Sequence, residues 1–247
     1  MSFDKTFLPG EVLTAANVNE HLLNGGYQYR QTLYFFSSGA FVKQSFPWLR
    51  AICVKVVGGG GGGGGAAETT NVSSAAGAGG QGGSYAESFI TDIAALNASV
   101  TVTRGGGGAG GAAGNNSGAL GCDSSFGSLV VAGGGGEGGG SVATTASRMT
   151  FRGSSSNNPS VGDFVVDGTG SAGLAIRGGD GILAKPGEGG ASFLSSARSG
   201  SPDTPSDDGL PGNLFGGGGS GAFSRTSSPA QAGGAGANGI VIVELYG

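Results

Sequence analysis

Eight consecutive glycines, Gly58 to Gly65, follow directly on the apolar run Ile52-Cys53-Val54-Lys55-Val56-Val57. Glycine has no side chain to bury, and ordering it costs more backbone entropy than ordering any other residue. Comparable runs recur at Gly105–Gly108, at Gly133–Gly140 around Glu137, and at Gly216–Gly219. Glycine makes up 58 of the 247 residues, roughly three times the usual share of about 7%. A conventional core of large side chains is not expected over most of this length.

Glycine-rich chains of low complexity are commonly disordered. Here 13 phenylalanines, a mean hydropathy of +0.06 and only 11% charged residues describe a chain that would be sticky if unfolded, so a folded domain is expected. Collagen needs glycine at every third place and abundant proline, whereas this chain has unbroken glycine runs and eight prolines. A flexible linker needs no apolar lead-in, yet Val56-Val57, Leu129-Val130-Val131 and Leu214-Phe215 precede three of the runs. Glycine is then the packed material itself. Without Cβ atoms a chain can form a threefold extended helix that neighbours approach from every side. Its buried amides pair laterally with those neighbours, and close dispersion contacts replace side-chain packing. The unequal intervals between runs describe a recurrent element with variable inserts rather than a strict repeat.

Residues 1–30 read as a separate attachment segment and residues 31–247 as a glycine-rich domain. In the first, Leu13 to Gly25 is a candidate short helix, with Thr14 as N-cap, Ala15, Val18 and Leu22 on one face and Gly25 at the C′ position. Three turns do not stand alone in water, so this helix must dock, and Val18, His21, Leu22 and Leu23 are its candidate attachment residues. Strands are expected at Thr32–Phe36, at Ala40–Val42, over Leu49–Val57 with Ile52, Val54 and Val56 on one face, and at Gly239–Tyr246. The last is expected to pair with Leu49–Val57 and close the domain.

A net charge of −4 and a pI near 4.9, with lysines and arginines scattered singly, argue against nucleic acid or an anionic membrane as partner. No 18 apolar residues run together, and Met1–Thr6 has no apolar signal region. The expectation is a protein made in a cytoplasm and not inserted in a membrane. Cys53 reads as a small buried hydrophobe, and Cys122 as either exposed or packed.

The motifs that carry chemistry give little. Any long glycine run satisfies the dinucleotide fingerprint, and Ala66-Ala67-Glu68-Thr69-Thr70-Asn71 opens no helix of a βαβ unit. No Gly-Lys pair and no Gly-x-Ser-x-Gly occurs, and the single histidine, His21, lies far from a candidate nucleophile. Gly233 to Ile240 approaches a calcium-binding nonapeptide but has Asn238 where a carboxylate is needed. Asp203, Asp207 and Asp208 cluster among Pro, Ser and Gly, which reads as a solvated loop. Phe151, Arg152, Phe164, Phe193, Arg198, Phe223 and Arg225 stand in serine-rich inserts. Aromatics and arginine are the usual anchors of protein and sugar contacts, while the plainer role of each phenylalanine is to plug a gap beside the glycine layer. No catalytic, metal or cofactor site is expected.

Tyr34-Phe35-Phe36-Ser37-Ser38-Gly39-Ala40-Phe41, Pro47-Trp48-Leu49, Val54-Lys55-Val56-Val57 before Gly58–Gly65, Ser124-Ser125-Phe126-Gly127, and the ending Gly239-Ile240-Val241-Ile242-Val243-Glu244 resemble the glycine-rich domain of bacteriophage tail fibre and minor tail proteins, over roughly residues 31 to 247. Phe7 to Asn19 is similar to the lead-in of such proteins. The resemblance implies an all-β, glycine-rich fold in which strands at both ends enclose a bundle of polyglycine-II-like helices, as in the distal adhesins of T-even-like phages. It implies a virion location, no enzymatic activity, other tail proteins as partners, and a homo-oligomer, with a trimer favoured. Loops between the runs would touch a host cell-surface protein or glycan. Their candidate contact residues are the seven phenylalanines and arginines above with Asp203, Asp207 and Asp208. A purely structural tail component and a non-phage surface or ice-binding protein are the alternatives.

Overall fold

A computed structural model describes residues 26–150, 159–169, 173–178, 181–200 and 206–247. The expected N-terminal helix with Val18, His21, Leu22 and Leu23, and the candidates Phe151, Arg152 and Asp203, lie outside the described residues. The strands, in chain order, are β1 (Tyr29–Phe35), β2 (Gly39–Val42), β3 (Ala51–Val57), β4 (Ala75–Ala76), β5 (Tyr85–Ile90), β6 (Ser99–Thr103), β7 (Ser124–Phe126), β8 (Val130–Ala132), β9 (Arg148–Thr150), β10 (Phe164–Val166), β11 (Gly173–Gly178), β12 (Gly181–Lys185), β13 (Ser206–Asp207), β14 (Phe223–Ser224) and β15 (Ile240–Tyr246). All their pairings are antiparallel. The one 3-10 turn among the described residues is Lys43–Ser45.

The expected pairing of the two apolar strands is present. β15 lies between β1 and β3, with Ile240 opposite Val57 and Tyr246 opposite Ala51, in a five-stranded sheet of order β1-β15-β3-β5-β10. A second sheet has the order β2-β6-β7-β8. Alternation decides which side chains lie between them. Ile52, Val54, Val56, Val241, Val243 and Leu245 from the first sheet meet Phe41, Val100, Val102, Phe126 and Val130 from the second in one buried cluster. This sandwich is the only large apolar core among the described residues.

From the end of β3 the chain enters a different kind of interior. The amides of Gly58, Gly61 and Gly64 donate to the carbonyls of Ser84, Gln81 and Ala78. Those of Gly59, Gly62 and Gly65 donate to Cys122, Ala119 and Asn116, and those of Gly60, Gly63 and Ala66 to Ala237, Gly234 and Gln231. Bonding therefore has a period of three, and all three of these neighbours run antiparallel to the central run. Three parallel neighbours donate back: Gly108, Gly111 and Gly114 to Gly60, Gly63 and Ala66; Gly135, Gly138 and Ser141 to Gly59, Gly62 and Gly65; Gly219 and Ala222 to Gly61 and Gly64. These bonds measure 2.8–3.2 Å.

The neighbours also bond to one another in a closed ring in which direction alternates. Gly233 donates to Gly111, Ala237 to Gly217, Gly80 to Gly219, Gln81 to Gly136, Gly121 to Gly135, and Cys122 to Gly106. An outer layer continues the pattern on one side, where Gly190 donates to Gly80, Gly218 to Gly190, and Gly212 to Ala235. Strands and glycine segments thus alternate along the chain, so the strands do not simply bracket the glycine region as expected. The described residues between Thr144 and Pro211 supply part of the outer layer and the sheet edge β10.

The lack of Cβ atoms is required at every position of the central run, because every side of it is covered. A methyl on Gly58, Gly61 or Gly64 would lie 2.0–2.1 Å from the carbonyl oxygen of Gly133, Gly136 or Gly139. One on Gly59, Gly62 or Gly65 would lie 1.9–2.3 Å from that of Gly106, Ala109 or Ala112, and one on Gly60 or Gly63 2.0–2.1 Å from that of Gly217 or Ser220. Gly106 differs, since its methyl would meet nothing nearer than Asn238 Oδ1 at 3.9 Å. Overpacking of this kind costs about 1–3 kcal/mol and occasionally more. Gly62→Ala is therefore expected to lower unfolding free energy by at least about 3 kcal/mol, and Gly106→Ala to change it by no more than about 0.5 kcal/mol. Chemical denaturation of the two variants beside the unchanged protein checks this.

Candidate functional site

The glycine array has two ends. At one it merges with the sandwich, and beyond the sandwich Gln28 and Gly247 exchange both backbone bonds, so the start and finish of the described chain meet there. The same base carries an open pocket of about 510 Å³ lined by Lys43, Gln44, Phe46, Pro47, Leu49, Ile93 and Ala94. Lys43 Nζ donates to the carbonyls of Ile93 at 2.9 Å and Leu96 at 2.5 Å, which holds the two base loops together.

At the far end the segments turn over in hydroxyl-rich loops. Thr69 is only 5% exposed. Its Oγ1 donates to the Arg225 carbonyl at 2.6 Å and accepts from the Ser228 amide at 3.1 Å. Ser227 N donates to the Thr70 carbonyl, and Ser74 and Thr144 exchange backbone bonds. Buried hydroxyls thus clamp residues 67–74 to residues 225–228, while Glu68, Thr70, Asn71, Val72, Thr226 and Ser227 face solvent. The small sheet β13-β14-β4 lies under these loops.

The sequence candidates fall into separate groups. Phe223 is 1% exposed and packs on Ala76 and Ala184. Of its two expected roles it fills the gap-plugging one, because a ring sealed between β4 and β12 offers no surface to a partner. Arg225 lies over that ring at 5.2 Å and donates to the Ala184 carbonyl. Asp207 sits in β13, and Asp208 Oδ1 accepts from the Ala232 amide at 2.7 Å, so Asp208 anchors backbone. Arg198 donates from Nη1 to Asn213 Oδ1 at 3.4 Å. Phe164 and Phe193 come together elsewhere, against Tyr85 where the sandwich meets the array. The Tyr85 and Phe193 rings stack at 4.2 Å, Phe164 stands edge-on at 6.2 Å from Tyr85, and the two phenylalanines are 51% and 54% exposed.

One polar constellation has no counterpart among the candidates. On the outer face of the five-stranded sheet Glu87 accepts from the Tyr85 hydroxyl at 2.6 Å and the Cys53 thiol at 3.1 Å. Beside it Glu244 accepts from Lys55 Nζ at 2.6 Å and the Tyr246 hydroxyl at 3.1 Å. The carboxylates flank β3 on either side, because Lys55 pairs with Glu87 on β5 and Cys53 with Glu244 on β15. Burial, then the Glu87 carboxylate, push the Cys53 thiol up to about 12 and raise the Tyr85 phenol. Burial lowers the Lys55 ammonium, but Glu244 outweighs it and the net direction is up. The strand alternation of Tyr85-Ala86-Glu87 was the signal for this face. The free Cys122, by contrast, is exposed in the array.

An all-β domain organised around packed glycine backbone is the class of protein defined by this architecture. A family model of glycine-rich domains matches residues 36–246, and the chain belongs to that family. A search of curated proteins finds no match to the chain.

Two measurements follow from this geometry. A thiol reagent at pH 8 is expected to label Cys122 in the native protein and Cys53 only after denaturation. The raised Cys53 and Tyr85 groups stabilise the fold fully below their unfolded values and lose that contribution as pH rises through the folded ones. Melting temperature should therefore fall between pH 9 and about 12, and fall less in Cys53→Ala. At the far end, Thr69→Val leaves a buried carbonyl and amide without their partner and should cost about 1–3 kcal/mol, with faster hydrogen exchange confined to residues 67–74 and 225–228.

Proposed function

We propose that this chain is a non-enzymatic structural and host-recognition component of a bacteriophage tail. In this reading its glycine array is a polyglycine-II bundle and serves as a stiff spacer. The observation that carries the proposal is polarity: the described chain begins and ends at the sandwich base, and the clamped hydroxyl-rich loops lie at the opposite end of the array. Nine residues from Gly58 to Ala66, at about 3.1 Å per residue in a threefold helix, give a spacer of about 25 Å. A backbone-bonded spacer transmits position without needing particular side chains, so the loops at its end are free to vary.

Exposed threonine, serine and asparagine side chains held on a rigid frame suit hydrogen bonding to a polar polymer such as a surface glycan, or to a host surface protein. The base, with its pocket and its junction to residues 1–25, suits attachment to other tail proteins. The resemblance of the strand, glycine block, Ser-Phe-Gly and terminal-strand series supports the tail reading, and the period-three bonding supports polyglycine II. The protein would reside in the virion as a homo-oligomer.

An antibody to this chain is expected to decorate one end of the tail in images of intact particles, and purified protein to bind host cells. Replacing Thr70-Asn71-Val72 with Gly-Gly-Ser should abolish cell binding while leaving the melting temperature within about 2 °C, since these residues are exposed. Decoration without cell binding would make the chain a purely structural tail part. Absence of decoration would overturn the assignment.

A further inference from the structure

The two sheets have four edges, and they are finished differently. Residues 159–166 close one side of the sandwich, because Val161 bridges to Val131 on β8 while β10 pairs with β5. On the opposite side β2 is a four-residue edge followed by Lys43, and short, charged edges discourage pairing. Among the described residues β1 has no such protection beyond its first residues. It is seven residues long, pairs among the described residues only with β15, and has an irregularity at Tyr29/Gln31 that leaves Gln31–Phe35 regular. The outer-face residue Tyr34 is 58% exposed, and its ring stacks on that of Phe36 at 6.1 Å.

The backbone of this edge can be assigned. Gly247 exchanges bonds with Gln28, so counting by twos along β15 Leu245, Val243 and Val241 turn toward β1, where they face Gln31, Leu33 and Phe35. Thr32 and Tyr34 accordingly direct their N–H and C=O groups away from the sheet. We infer that β1 is a self-pairing edge, and that two copies of this chain join antiparallel through Gln31–Phe35 about a two-fold axis at Leu33.

In that register Thr32 of each copy exchanges both backbone bonds with Tyr34 of the other, and the two Leu33 residues form the central non-bonded pair. Every outward group of the regular stretch is then used. The outer-face neighbours are threonine against tyrosine, a favourable β-branched–aromatic pair. The sheet becomes continuous across both copies. An isologous contact of this kind closes on itself, so it gives a dimer rather than a trimer. It does not depend on the tail reading.

Light scattering on the full chain across a range of concentrations measures the mass, with melting temperature as the check on folding. The unchanged protein should reach twice its 23.6 kDa mass. Thr32→Lys with Tyr34→Lys places like charges opposite each other and should raise the dimer dissociation constant at least tenfold with melting of the dilute monomer unchanged. Thr32→Glu with Tyr34→Lys places opposite charges across the same pairs and should restore the dimer. A monomer or trimer at every concentration, a dimer indifferent to the lysines, or lysine and glutamate variants that behave alike would each overturn the inference.

Discussion

The lateral hydrogen bond between backbones without Cβ atoms is the interaction on which this structure depends. Around Gly58–Gly65 it operates on every side, and its geometric demand is severe, because the space a methyl would take is already held by a carbonyl oxygen. The demand weakens outward in a regular way. Segments of the ring need glycine where they face the central run: Gly77, Gly80 and Gly83 toward Gly64, Gly61 and Gly58, and Gly233, Gly236 and Gly239 toward Gly63, Gly60 and Val57. Ala78, Gln81 and Ala235 occupy other positions of these segments, while Gly79, Gly82 and Gly234 are glycine because the outer-layer carbonyls of Glu188, Ala191 and Leu210 lie against them. Glycine density in this chain therefore measures how many sides of a segment are covered.

Magnitudes explain why such an array is joined to a sandwich. A net backbone hydrogen bond is worth about 0.5–1.5 kcal/mol, while ordering one residue costs about 1–2 kcal/mol. The array is close to break-even on its own. Burial of Phe41, Phe126, Ile52 and the valines of β3 and β15 supplies a driving force of about 1.5–3 kcal/mol for each such side chain. Every segment of the ring except 216–222 runs directly into or out of a sandwich strand, so the apolar core fixes both position and direction of the glycine segments. The clamped far end holds the other extremity.

Much of this was legible in the sequence, and the reasons for the remainder are physical. Alternating Ile52, Val54 and Val56 identified β3, and its pairing with the terminal strand followed from two apolar runs needing one another. The central run was legible as interior because nothing else explains apolar lead-ins to glycine. Segments 77–84 and 116–122 were not singled out, since counting unbroken glycines misses a glycine at every third place. That spacing at Gly77, Gly80 and Gly83 was the available signal. The burial of Thr69 and Ser228 was not legible, because a hydroxyl becomes a clamp only when a distant loop places its carbonyl within reach. Phe223 was ambiguous for the same reason: a phenylalanine among serines is surface or plug according to what tertiary structure lays over it.

The alternation of direction around the ring has a consequence for how such a domain can diversify. Each excursion to the far end leaves along one segment and returns along another whose place is set by bonds far from the loop. The ends of a loop are therefore held apart by a fixed lattice spacing whatever the loop contains. Closing a longer loop between fixed ends costs only about 0.6 kcal/mol for each doubling of its length, well below the cost of one misplaced methyl in the central run. Sequence constraint is thus concentrated where the chain has no side chains at all, and relaxed where side chains such as Thr70, Asn71 and Val72 face solvent. A scaffold recognised only through its backbone leaves chemistry to its loops.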